Sequence, residues 1–259
     1  MKQSTLWKYC AFCILTVCLL LPTSNVTQAQ ITKKPPKALW ILQEEIQPGQ
    51  TANFKALQAS LVDLYAKANF PYSWVGSIEE GEKSAKATFY MELKSLNAMD
   101  DINSEFIVAH HHEEQIEPLS LEAEKLLGAQ TEAFASFRPE LSIETSETAG
   151  GVFRSGFAQI VKVQVKADQA QRWAGAVAEA TSALRKAGSA KGVLTYEIIS
   201  GDAPGTFLFI YPSNSADETS AARDNQQASI RALGGDVVVQ EQKTLFSADS
   251  KLSFPGQGK

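Results

Sequence analysis

The sequence predicts an α+β protein made of two tandem βαββαβ units. Three observations carry this reading: a strand-turn-helix pattern that recurs 119 residues further on, a short motif repeated near the end of each half, and a Ser-, Thr- and Gly-rich stretch between the copies. The first unit spans 37–143 and the second 157–254, and ETSETAGGVFRSG (144–156) reads as the linker between them.

Residues 1–29 stand outside both units. Lys2 and Lys8 precede an apolar run from Cys10 to Leu21, too short to span a bilayer, and small residues follow at Thr27 and Ala29. This is the pattern of a cleaved secretory signal. The expected location is therefore extracytoplasmic, periplasmic or secreted, with no transmembrane segment in the mature chain. The rival is lipidation at Cys18, against which bulky Val17 occupies the position where a lipobox wants a small residue. All three cysteines lie inside this segment, so no disulfide is available to the mature protein and an ordinary core must hold it. Without Lys2 and Lys8 the chain carries 22 basic against 29 acidic residues, a formal charge of −7 with no basic patch, which argues against a nucleic-acid partner.

The first unit opens with the apolar run ALWILQEEI (38–46), a turn at Pro48-Gly49, and a segment in which Phe54, Leu57, Leu61, Leu64 and Tyr65 recur at helical steps. Thr51 is the expected N-cap. YSWVGSI (72–78) and AKATFYMEL (85–93), joined by a Gly-bearing turn, predict a hairpin. SLEAEKLLGAQTEAF (120–134) reads as helix, and the histidine run AHHHEEQ before it sits in an irregular element that the other half lacks. In the second unit Val161, Val163 and Val165 alternate with polar residues as in a half-buried strand. Asp168 and Gln171 form a capping-box pattern before a helix carrying Trp173, Val177 and Leu184, and Gly188 is its stop. GVLTYEII and TFLFIYP predict the second hairpin, a helix follows from Ser215 to Leu233, and DVVVQEQKTLF closes the sheet. The repeated motif matches Ser136, Leu141, Ser142 and Ile143 with Ser247, Leu252, Ser253 and Phe254.

Strand, helix, hairpin, helix, strand is the ferredoxin-like arrangement, with both helices on one sheet face. The other face is bare and partly apolar, so two units in one chain can cover each other sheet to sheet. On LWILQEEIQPGQTANFKALQASL and its counterpart IVKVQVKADQAQRWAGAVAEA, the chain resembles the dimeric α/β-barrel superfamily, which includes the antibiotic biosynthesis monooxygenase-like and NIPSNAP-like domains. The resemblance implies a fused intramolecular dimer, expected to be a monomer with an internal pseudo-dimer. It also implies activities as different as cofactor-free oxygenation, haem binding and plain ligand holding, so the fold does not choose among them.

The residues narrow the choice. Tyr72, Trp74, Tyr90 and Tyr196 are the candidates to line a site between the sheets, and Glu44 and Glu197 are the strand carboxylates able to serve as a base there. His110, Glu113 and Glu114 come together at helical spacing and are the candidate metal ligands, although no other histidine or mature cysteine completes the set. No Walker loop, G-x-S-x-G elbow or C-x-x-C pair is present. The expected function is non-catalytic: binding a small apolar ligand, or serving as an interaction module with an envelope protein. No cofactor is expected. The alternatives are a cofactor-free monooxygenase-like enzyme and a metal or haem protein using residues 110–114.

Overall fold

The computed structural model describes residues 34–68, 70–110, 116–149, 151, 153, 156–188, 191–215 and 221–255. The segment read as a signal lies outside them. The elements are β1 (Ala38–Ile46), α1 (Thr51–Lys67), β2 (Trp74–Glu80), β3 (Ala85–Leu93), α2 (Ala98–His110), α3 (Ile116–Leu126), β4 (Leu127–Phe137), β5 (Phe157–Val165), α4 (Ala170–Ala187), β6 (Leu194–Ser200), β7 (Thr206–Ser213), α5 (Ala221–Gly234) and β8 (Val238–Ser247). The eight strands form one antiparallel sheet in the order β2-β3-β1-β4-β6-β7-β5-β8, which curls until its two ends nearly meet.

Strand alternation sorts the side chains into three cores. From β1, Leu39 and Ile41 point to the barrel interior with Ala135, Ile160, Ile198 and Phe246. The neighbours Ala38, Trp40 and Ile46 point outward to meet Phe54 and Tyr65 of α1. In the second half Val161, Val163, Phe207 and Phe209 pack outward against Trp173 and Val177 of α4. Each helix thus buries an apolar stripe on the outside of the sheet, and the barrel interior is a separate core.

Local signals act largely as the sequence suggests. Gly49 and Gly188 take positive φ at the turn before α1 and at the end of α4. Two capping expectations change. Gln50, not Thr51, is the N-cap of α1 and makes no side-chain cap bond. Asp168 lies in a 3-10 turn (Ala167–Gln169) ahead of α4, so the capping box does not form. The larger correction is at 120–134: the helix stops at Leu126 and the chain continues as β4. β1 would otherwise keep an unpaired edge, and the pairing from Ala38 with Ser136 to Ile46 with Leu127 outweighs the helix preference of Ala, Gln and Glu.

The short repeated motif marks two straps. After β4, Ile143 bridges Val193 at the start of the second hairpin; after β8, Phe254 bridges Trp74 at the start of the first. Ser142 donates to the Arg138 carbonyl and accepts from the Thr195 amide, while Ser253 donates to the Asp249 carbonyl and accepts from the Gly76 amide. Leu141 and Leu252 are both fully buried beneath these bonds. Each half therefore closes by tying its last strand to the hairpin of the other.

Above the straps the two seams differ. β4 and β6 pair from Phe134 with Ser200 to Phe137 with Tyr196. Among the described residues β8 and β2 form no ladder; the segment after β8 meets β2 through the Trp74–Phe254 bridge, the bond from the Asp249 amide to the Gly76 carbonyl, and the Gly76–Ser253 and Trp74–Leu252 bonds. Gly201 explains part of the difference. It has φ +85°, and a Cβ there would lie 1.8 Å from the Glu132 carbonyl oxygen, an approach only glycine permits. The position 119 residues earlier is Glu82.

Candidate functional site: a barrel cavity beside the open seam

The barrel interior holds a cavity of about 530 Å³, within the range typical of small-molecule sites. Strands from both halves wall it. Its floor is apolar, with Ile41, Ala133, Ile198, Leu208 and Phe246 around the ring of Tyr90. Its upper wall is polar, with Gln43, Lys86, Thr88, Glu79, Lys162 and Asp202. Ser77 to Glu79 of β2 and Gln242 to Phe246 of β8 flank it together, so the unpaired seam is its side. Three lysines and two carboxylates line it: Lys162 of β5 is ion-paired with Asp202 of the β6–β7 turn, Lys86 stands in register with Glu79, and Lys243 lies beside the seam in register with outward-facing Val161.

The other end of the barrel is plugged. Phe153, from the stretch read as a linker, packs on Tyr90 and Phe246 with ring centroids 4.7 and 4.5 Å away. Tyr196 stacks on Phe137 and donates its hydroxyl to the Pro36 carbonyl at 3.1 Å. The linker is fastened to the second half by the Lys191–Glu147 ion pair and closed on itself by the Thr145–Thr148 turn.

The four predicted aromatics do not converge. Tyr90 lines the cavity. Tyr196 faces the same interior, at the plugged end. Trp74 points the other way, into the α1 core, where it meets Tyr65 at 4.7 Å and donates its indole N–H to the Leu252 carbonyl. Tyr72 lies beyond the end of β2 against Phe70, and burial together with Asp101 and Glu105 of α2 raises its pKa. Register is the reason: Val75 pairs with Tyr90 and Trp74 with Met91, so Trp74 and Tyr90 belong to opposite faces. Sequence reasoning missed Lys162, Asp202 and Thr131, although the alternation of β5 does place Lys162 on the face opposite Val161 and Val163.

Neither strand carboxylate faces the cavity. Glu197 lies on the outward face of β6 and pairs with Arg138. Glu44 shares the outward face of Trp40 and Ile46 and is only 2% exposed; its Oε1 accepts from Gln130 at 3.1 Å, and its Oε2 has no partner among the described residues. Burial pushes its pKa up from 4.5 to about 7, against the smaller opposing pull of the Gln130 bond. A carboxyl held more tightly protonated in the folded state supports folding fully below pH 4.5, and that support fades as pH rises through about 7. Glu44→Gln, which keeps a neutral side chain at every pH, is expected to flatten this loss and to be more stable than the parent at pH 8 by on the order of 3 kcal/mol. Urea unfolding of both proteins at pH 4.5 and 8 measures it; parallel pH profiles would contradict it.

His110 closes α2, and Glu113 and Glu114 lie outside the described residues. Among the described residues no group of three or more His, Cys, Asp or Glu could hold a metal, and no helix is long and apolar enough to cross a membrane. Haem iron takes His, Cys, Met or Tyr as its axial ligand. Among the described residues the one such side chain lining the cavity is Tyr90, whose burial raises its pKa and keeps it protonated, so this lining does not fit a haem.

Comparison with solved structures places the architecture. The chain is similar to a "putative monooxygenase from Lactobacillus acidophilus NCFM", at TM-score 0.50 and 13% identity over 86% of this chain and 97% of that one. A "Putative monooxygenase (FN1347)" from Fusobacterium nucleatum matches at TM-score 0.52 and 10% identity, covering 82% and 91%. The likeness is one of fold, a mixed α+β chain with one nearly closed antiparallel sheet. A "novel heme-binding protein" from Thermus thermophilus also matches, at TM-score 0.43 and 6% identity over 83% and 95% of the chains, a likeness too distant to bear on function. No family model and no curated protein matches the sequence.

Proposed function

We propose that this is an exported protein in which two ferredoxin-like units, fused in one chain, enclose a small amphipathic molecule in the barrel cavity and hold it without transforming it. The observation that carries this is the cavity itself: about 530 Å³ of space with an apolar floor and a polar wall bearing charges of both signs, beside an unpaired seam. A packed barrel core would have no such volume. The export assignment rests on residues 1–29.

The non-catalytic reading follows from what lines the floor. An oxygenase that works without a cofactor needs a base beside its substrate; Glu44 and Glu197 both face away, and the carboxylates on the polar wall stand against lysines, Asp202 paired with Lys162 and Glu79 in register with Lys86. Among the described residues Tyr90 is the one titratable side chain on the floor, and burial disfavours its phenolate.

The neutral dye Nile red is expected to bind wild-type protein saturably at one site with enhanced fluorescence. Ala133→Trp, which projects an indole into the cavity, is expected to weaken this binding at least tenfold with little change in urea midpoint. Equal binding by both proteins would place the dye elsewhere and defeat the reading. Bound test molecules should be recovered unchanged under air; an oxygenated product would move the protein to the enzyme class.

A further inference from the structure

We propose that the cavity selects neutral molecules carrying a hydrogen-bond-accepting oxygen, and that the Tyr90 hydroxyl is the group that donates to it. This deepens the ligand-holding reading and rests on it.

Tyr90 is an unusual lining residue. It is only 6% exposed and lines the cavity, and its hydroxyl is not one of the sealed core atoms left without a partner, so it remains open to a ligand there. The Tyr196 hydroxyl on the same interior, by contrast, is committed to the Pro36 carbonyl. Phe153 and Phe246 fix the ring from two sides, so the donor is preorganised. Its phenol stays protonated under ordinary conditions because burial disfavours the phenolate. It therefore asks for an acceptor rather than a cation.

The wall argues that this acceptor is uncharged. Of the lysines that line the cavity, Lys162 is ion-paired with Asp202, Lys86 stands opposite Glu79 on the polar wall, and Lys243 is in register with outward-facing Val161. A carboxylate reaching Tyr90 would leave water for an apolar floor whose packed residues include no cation, which is costly. A ketone, quinone or ether oxygen on a compact apolar skeleton loses little hydration there and gains the hydroxyl.

The counterpart positions show that this feature is not a by-product of the repeat. Leu39 pairs with Glu92 as Ala158 pairs with Pro212, so the second-half residue equivalent to Tyr90 is Ile210 and that equivalent to Thr88 is Leu208. Both replacements are apolar and buried, so only the first half contributes the donor.

Three matched probes test this by calorimetry on the full mature chain: 2-acetonaphthone, 2-ethylnaphthalene and 2-naphthoate. Wild type is expected to bind the ketone about three- to tenfold more tightly than the hydrocarbon, the range of one neutral hydrogen bond, and the carboxylate most weakly. Tyr90→Phe, which keeps the ring packing on Phe153 and Phe246, is expected to remove the ketone's advantage while leaving hydrocarbon binding unchanged. If all three bind alike and Tyr90→Phe alters nothing, the cavity holds ligands but the donor assignment is overturned. Should 2-naphthoate bind best, the neutral-ligand assignment fails. Failure of every probe to bind wild type would overturn the ligand-holding reading and this inference with it.

Discussion

Gly201→Ala is expected to be the most damaging single-methyl change in this protein, lowering stability by on the order of 4 kcal/mol. Two costs combine. Gly201 has φ +85°, where an L-residue is strained, and the new Cβ would lie 1.8 Å from the Glu132 carbonyl oxygen and 2.6 Å from the Ala133 Cα. Those are backbone atoms of β4, so no side chain can swing away to relieve them. β4 and β6 must separate, and among the described residues the ladder from Phe134 to Phe137 is what joins these two strands, with the Ile143–Val193 bridge beyond it. Gly188→Ala is the matched control: φ is +69° but nothing lies within 4 Å, so only the conformational cost of about 1 kcal/mol applies. Urea unfolding of the two variants separates the effects; equal losses would mean that the close approach across the seam does not matter.

Phe254→Ala is expected to cost about 3–5 kcal/mol, although the residue lies close to the chain's last position. Its ring is 2% exposed and joins the aromatic cluster of the first half, 4.8 Å from Trp74 and 5.8 Å from Tyr65. Its backbone exchanges hydrogen bonds with Trp74 at 2.9 Å in both directions, so the strap both fills the α1 core and fastens the first hairpin. The two bonds survive the substitution; the ring's burial does not. Phe254→Leu should recover most of the loss, because a leucine refills much of the space. A midpoint for Phe254→Ala within experimental error of wild type would show that the strap is not part of the folded core.

Much of this architecture was legible in the residues because it is set by local pattern. The alternation of Val161, Val163 and Val165, the Gly-bearing hairpin turns and the Gly188 stop each depend on a few neighbouring positions. The repeated Leu-Ser pair proved informative for a physical reason: the serine hydroxyl must both donate and accept at the same place in each strap, and the leucine must fill the space beneath. β4 was illegible because LGAQTEAFASF has the composition of a helix and becomes a strand only when β1 supplies its partner edge. The site was harder still. A one-residue change of register moves a side chain between the helix layer and the barrel interior, which is why Trp74 and Tyr90 could not be assigned to faces before the Val75–Tyr90 pairing was known. Phe153 gave no signal at all, since nothing in a Gly- and Ser-rich stretch announces that one of its side chains plugs a barrel.

The central claim, that the barrel interior is the binding site, is tested most directly by titrating ¹⁵N-labelled protein with 2-acetonaphthone and following the backbone amides. The account expects saturable shifts concentrated at Ile41, Tyr90, Ala133, Ile198 and Phe246, with Glu44 and the helices little changed. Shifts centred instead on the outward face around Glu44 and Gln130, or spread without saturation, would contradict it.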